Sequence, residues 1–259
     1  MSRLRVALGE QLKDCSQVVT LGVRSQIGDY TEKELELLRA ADTIFYPTAR
    51  FVDLFATLGK ATFPSINCYR LRGERLKQVA LLRLLNVPYP RTRVYYGWRQ
   101  KQKIPQDFTF PLIAKKALGS AAGRDVFFIK DSIRLERYNR KFNPAYIQEH
   151  VLAEVELRVV VINYEKVFGS YRRVAGGGSR GNLDHVGAWQ TKDMPGEAIN
   201  LGKQIAQQGS LSHVTVEMIF NGSQFQVVEL NFHHDEPGAL DCGQKGLKAV
   251  VEMIERGEL

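Results

Sequence analysis

"HVTVEMIFNGSQFQVVELN", residues 213–231, is two apolar runs joined at Asn-Gly, and it reads as a β-hairpin. Strand side chains alternate between faces, so Glu229 and Asn231 point the same way, and Glu217 lies in the apolar run of the preceding strand. A carboxylate buried without a partner is costly, so such residues should be paired or bound to metal. Two carboxylates and an amide oxygen on one sheet face make a hard-oxygen set suited to Mg2+, with Mn2+ as the alternative ion. A solvent-facing strand side would carry the same residues, and spacing alone leaves both readings open.

Register separates them. Asn221-Gly222 as a two-residue turn would pair Glu217 with Gln226 and turn it away from Glu229. A three-residue loop, 221–223, would pair Glu217 with Val227 and set it diagonally beside Glu229. The metal reading therefore predicts a connection of odd length.

Working outward, the first ninety residues alternate strands (18–22, 43–48, a short one from 61) with helices (31–41, 50–59, 73–86). Thr31 and Glu34 have capping-box spacing, and Leu76, Val79, Ala80 and Leu84 are expected on the buried face of the third helix. This rhythm predicts a small parallel α/β lobe over 1–90. Val87–Thr92, with two prolines, reads as a boundary. Residues 110–130 follow as strand, glycine-containing turn and strand, 156–175 as a hairpin turning near Asn163, 195–210 as a helix, and the C-terminus as a helix. Two α+β lobes, 91–151 and 152–259, complete the expected fold class, a mixture of α/β and α+β.

The 259 residues suffice for a well-buried core in one or several lobes, and 44% hydrophobic with 25% charged residues suits a soluble globular protein. No apolar stretch approaches the roughly 20 residues of a membrane helix, and residues 1–17 hold too short an apolar segment for a signal peptide. Cys15, Cys68 and Cys242 form no disulfide framework or metal pattern, so a cytoplasmic location is expected. A net charge of +8 favours anionic partners. The basic, aromatic stretch 91–103 reads as a strand and turn with a solvated face; stacking on single-stranded nucleic acid is the disfavoured alternative.

Lys115 ends a strand before a small-residue turn, Gly119 to Gly123, where backbone amides could approach phosphate. Arg172 and Arg173 end another strand, and Arg180 follows across a glycine run; arginine suits bidentate contact with phosphate or carboxylate. Only one of the adjacent pair should face a site.

In this order the pieces resemble an ATP-grasp enzyme of the ribosomal-protein glutamate ligase (RimK) and glutathione-synthetase type. "ERLKQVALLRLLNVPYPRT" is similar to the helix and linker before that family's nucleotide lobes, with Arg75 where a lysine is common. "PLIAKKALGS" resembles the strand of the phosphate-binding lysine, which implies Lys115 and Ser120 as nucleotide contacts. "YIQEHV" resembles the adenine hinge, implying Gln148, Glu149, His150 and Val151, and Glu156 sits where a ribose-binding acid is expected. "RRVAGGGSRGNL" resembles the catalytic loop, implying Arg173, Arg180 and Asn182 as acyl-phosphate and substrate contacts. Glu217 with "ELN" matches the family's metal acid and Glu-x-Asn, implying Mg2+ on Glu217, Glu229 and Asn231.

The resemblance implies lobes that enclose ATP and an enzyme that activates a carboxylate as an acyl phosphate and joins it to an amine, releasing ADP and phosphate. The expected substrate is an amino acid or acidic peptide, and a homo-oligomer is left open. An ATP-binding protein with a degenerate site is the alternative, because "GSAAGRDV" is one residue longer than the usual glycine loop and carries Asp125. "FHHDEPG" replaces the family's shorter Ser-Pro-Gly segment; His233, His234 and Asp235 are candidate substrate contacts there, with a second metal site or a plain polar loop as the other readings.

Overall fold

The alternating strands and helices of the first sixty residues build a parallel sheet, β2-β1-β3-β4, from β1 (Arg5–Ala7), β2 (Val19–Thr20), β3 (Thr43–Phe45) and β4 (Ala61–Phe63). These elements come from a computed structural model that describes residues 4–118, 125–173, 194–232 and 242–259, with the side chains of 242–244 left aside. The chain leaves β1 to one side for β2 and returns to its other side for β3, so the connections part between β1 and β3. α1 (Glu32–Ala40) starts on the expected reciprocal cap, with Thr31 N–H donating to Glu34 at 2.7 Å. Its Leu38 packs with Ile44, Phe51 and Phe55, the last from α2 (Val52–Thr57).

Two helices then lead to the third sheet. α3 (Ile66–Leu71) lies in a stretch the sequence reading leaves unassigned. α4 (Arg75–Leu84) forms where predicted but buries another face: Arg75, Gln78 and Leu82 are inside, and Leu84 is 84% exposed. Hydrophobic periodicity could not show this, because two of the three buried residues are polar and find partners only in the folded chain. Gln78 donates to the Leu71 carbonyl at 2.9 Å and accepts from Leu230 N–H at 3.4 Å.

The second sheet is antiparallel throughout, in the order β5-β8-β6-β7: β5 (Thr92–Tyr95), β8 (Ala145–Glu149), β6 (Leu112–Lys116) and β7 (Val126–Ile129). The segment expected as strand and turn over 91–103 begins as β5 and then becomes helical, α5 (Gly97–Lys101), followed by α6 (Ile104–Asp107). Its arginines are partly used at home: Arg93 pairs with Asp107 at 2.9 Å, and Arg91 lies over the Phe108 ring. α7 (Ser132–Lys141) packs Leu135 and Tyr138 against this sheet.

The third sheet, β10-β9-β11-β12, joins β9 (Val155–Ile162), β10 (Lys166–Arg173), β11 (His213–Phe220) and β12 (Phe225–Asn231). The first hairpin turns at Asn163 and Tyr164, both left-handed (φ 45° and 67°), as its sequence implied. One face, with Leu157, Val159, Val161, Val216 and Met218, is covered by α8 (Gly196–Gln208) and by Leu82. Gly202 permits this approach, since a Cβ there would meet Val159 Cγ1 at 2.8 Å. The other face is divided. At one end Val160 and Ile162 pack under α9 (Cys242–Glu255) and against Phe45 and Phe63 of the first sheet. At the other end it is charged. Among the described residues no helix is long and apolar enough to cross a membrane.

Candidate active site

The charged end begins with a departure from the expected register. The β11–β12 connection is four residues, 221–224, closed by the Asn221 side chain, which accepts from Ser223 N–H at 3.1 Å and Gln224 N–H at 3.0 Å. Gly222 takes φ +90°, a value glycine tolerates and most residues do not. This even connection pairs Phe220 with Phe225 and Met218 with Val227, and carried on unbroken it would set Glu217 against Val228. A β-bulge between Glu217 and Met218 adds the missing residue, so Glu217 stands directly opposite Glu229 and Thr215 opposite Asn231. The odd loop is thus wrong in mechanism, while the shared face it was meant to explain is present.

The extra residue, Val228, has a task. Its carbonyl accepts from Lys115 Nζ at 2.9 Å. Lys115, 2% exposed on β6, is thereby tied to β12, while Tyr138 donates to its backbone carbonyl at 2.6 Å. Burial pushes the Tyr138 hydroxyl up to about 12, so it remains a donor at neutral pH.

Three carboxylates on this face each meet a guanidinium. Arg75 Nη2 lies 3.0 Å from Glu229 Oε1, and its Nη1 donates to the Lys116 carbonyl at 2.8 Å, so one side chain joins α4, β6 and β12. Arg158 Nε lies 3.7 Å from Glu217 Oε1. Arg172 donates from Nε to Glu156 Oε2 at 2.8 Å, and its Nη2 meets the same oxygen. Ladder pairing puts Arg172 opposite Glu156 and Arg173 opposite Val155, so Arg172 shares the charged face and Arg173, the residue proposed from sequence, takes the other.

A cleft runs between the second and third sheets. Lys115, Gln148, Glu149, His150, Val151 and Glu156 line it together with Ile113, Val126, Ile219 and Val228. Every described residue proposed from sequence for the nucleotide except Arg75 is therefore on its wall, and Arg75 bonds the carbonyl of Lys116, next to Lys115 on β6. His150 packs edge-to-face on Phe128, and burial lowers its pKa, favouring the neutral ring. Ser120, Arg180, Asn182, His233, His234 and Asp235 lie outside the described residues.

Glu217 and Glu229 are acids set against each other, with the Asn231 amide on the same face; this donor set fits a hard divalent cation, which would offset their mutual repulsion as the arginines do here. Among the described residues no three His, Cys, Asp or Glu side chains converge as a further metal cluster. The apolar walls and buried lysine of the cleft have the chemistry of a nucleotide site: Ile113, Val126 and Ile219 would suit a ring and Lys115 would suit a phosphate. Sequence reasoning missed Arg158 and the Val228 carbonyl, and of the adjacent pair it settled on Arg173 where the ladder puts Arg172 on the charged face. Arg158 and Glu156 two positions apart in an otherwise apolar strand were the available signal for the first.

The model of the RimK-like ATP-grasp domain matches residues 73–253, most of the chain. The chain belongs to this family. Its fold is ATP-grasp: it is similar to the ATP-grasp ligase PsnB complexed with minimal precursor (13% identity, all of both chains covered, TM-score 0.69). It is also similar to the macrocyclase MdnC bound with precursor peptide MdnA from Microcystis aeruginosa MRC (15%, 97% of this chain and 100% of that one, 0.63). An ADP complex of the N5-carboxyaminoimidazole ribonucleotide synthetase purK matches at 14% identity and TM-score 0.62, covering 88% of this chain. The chain spans 64% of the length of that synthetase. No curated protein sequence matches it.

Proposed function

We propose that this RimK-like protein is an ATP-dependent ligase that activates a carboxylate as an acyl phosphate and joins it to an amine, releasing ADP and phosphate. The observation that carries the reading is the bulge in β12. It sets Glu217 opposite Glu229 and hands the Val228 carbonyl to Lys115, so the acids proposed for the metal and the lysine proposed for phosphate are tied to one irregularity of β12. In this reading Glu217, Glu229 and Asn231 hold Mg2+, or Mn2+ in its place, which supplies positive charge to the phosphates as they transfer. Lys115 and Arg75 position the phosphoryl oxygens, and Glu156 holds the ribose or the arginine beside it. No nucleophilic side chain is required, because the work is positioning and electrostatics. The lobes 1–90, 91–151 and 152–259 are the proposed bodies around ATP, and cytoplasm the proposed location.

The test is ADP release with Mg2+ across amino acids, dipeptides and simple carboxylic acids, with mass spectrometry of the product. Turnover that depends on one acid and one amine, and is lost in Glu229→Gln, is expected. Normal ATP binding with no stimulation by any pair would refute it. A second reading, ATP binding without turnover, draws on Arg75 and Arg158, whose guanidinium groups could serve the two acids in place of a metal. It predicts nucleotide affinity indifferent to Mg2+.

A further inference from the structure

The first sheet holds a second pocket that none of the nucleotide residues enters. It opens where the connections of the parallel sheet part, between the carboxyl ends of β1 and β3. It is lined by Gln11, Tyr46, Thr48, Tyr69, Arg72 and Phe232. Ligands of open parallel sheets bind at such a switch point. The site is built rather than incidental. Tyr46 is held in the left-handed region at φ +45° and packs edge-on against Phe63 at 6.0 Å, so that an uncommon backbone conformation aims a ring at the pocket. Gly9 lets the end of β1 close in, since a Cβ there would come within 3.0 Å of Tyr46 Cβ. Phe232 follows Asn231 directly, so the pocket adjoins the end of the proposed metal strand. Cys68 is in the wall as a neutral thiol, its pKa raised by burial.

Among the described lining residues Arg72 is the one that carries a charge, and it makes no ion pair or side-chain hydrogen bond with a described residue. The Thr48 hydroxyl is shielded from solvent and has no hydrogen-bond partner. One guanidinium and two tyrosines beside a phenylalanine match an apolar or flat body that ends in one anionic group. A diacid would set its second carboxylate against rings and prolines, where no cation among the described residues answers it.

The structure assigns one of the two ligation substrates to this pocket: an apolar or aromatic carboxylic acid, amino acids included, with its carboxylate on Arg72. This narrows the acidic-peptide expectation and rests on the ligase reading. The test is isothermal titration calorimetry of phenylalanine, 3-phenylpropanoate, glutamate and glutamylglutamate on the full chain, with ATP and Mg2+ affinity measured alongside. Expected are phenylalanine or phenylpropanoate binding at least tenfold tighter than either acid-rich probe, loss of at least tenfold of that affinity in Arg72→Ala, and no binding in the pocket-filling Ala49→Trp, with ATP affinity unchanged in both variants. Equal or tighter binding of glutamate, no binding of any probe, or affinity untouched by both variants overturns the assignment. Binding with no ADP release when the bound acid is paired with any amine or acid partner would end the ligase reading, and with it the term substrate, while the ligand class stands.

Discussion

His213 and Glu217 sit four residues apart on the same face of β11, and both are buried, at 5% and 7% exposure. Glu217 stands opposite Glu229 beside the bulge and has Arg158 near it. His213 stacks on Phe63 of the first sheet, and burial drives its pKa down to about 3, so it stays neutral. A buried polar side chain is therefore not a site by virtue of burial. In the proposed reading the charged end of this face acts on ATP, while the His213 end packs two sheets together. The same division runs along α4, where Arg75 serves the acting end and Leu82 the packing end.

The largest effect should come from Glu217→Gln. Charge is lost with little change of shape, and Mg2+-dependent ADP release should fall on the order of 10²–10³-fold, while the thermal midpoint stays nearly unchanged. A large loss of stability with turnover retained would place Glu217 on the packing side of the comparison. Leu82→Ala should do the opposite, costing about 2–5 kcal/mol in urea unfolding and leaving the KM for ATP unaltered.

His213→Phe tests the neutral end. The folded pKa lies below that of the unfolded chain, so the stability is fully present above about pH 6.5 and is lost as pH falls toward 3, because the unfolded chain takes up the proton and the folded chain does not. The wild-type unfolding free energy, from urea titration, should thus fall between pH 7 and pH 5 by up to about 1.4 kcal/mol per pH unit, and His213→Phe should flatten that limb without altering turnover at pH 7. An unchanged limb would show that other groups set the acid stability. The smallest effect belongs to Leu84→Glu. Periodicity puts Leu84 inside and the fold puts it outside, so the change in stability should stay within about 0.5 kcal/mol.

What could be read in the chain had local causes. The Thr31–Glu34 cap, the turn at Asn163 and the shared face of Glu229 and Asn231 depend on residues a few positions apart, and they appear where expected. The face of α4 could not be read, because Arg75 and Gln78 are buried by a carboxylate and an amide more than 150 residues away. The helix α3 was missed for lack of a periodic signal over six residues.

The sequence by itself determined the types and order of most elements, the acids of β11 and β12 and the lysine of β6, since side-chain chemistry and strand alternation are written in neighbouring residues. Only the tertiary structure decided the register that opposes Glu217 to Glu229, the choice of Arg172 over Arg173, and the pocket around Arg72. Each of these depends on contacts between segments far apart in the chain. A bulge of one residue, which local preference does not fix, moves every side chain beyond it to the other face.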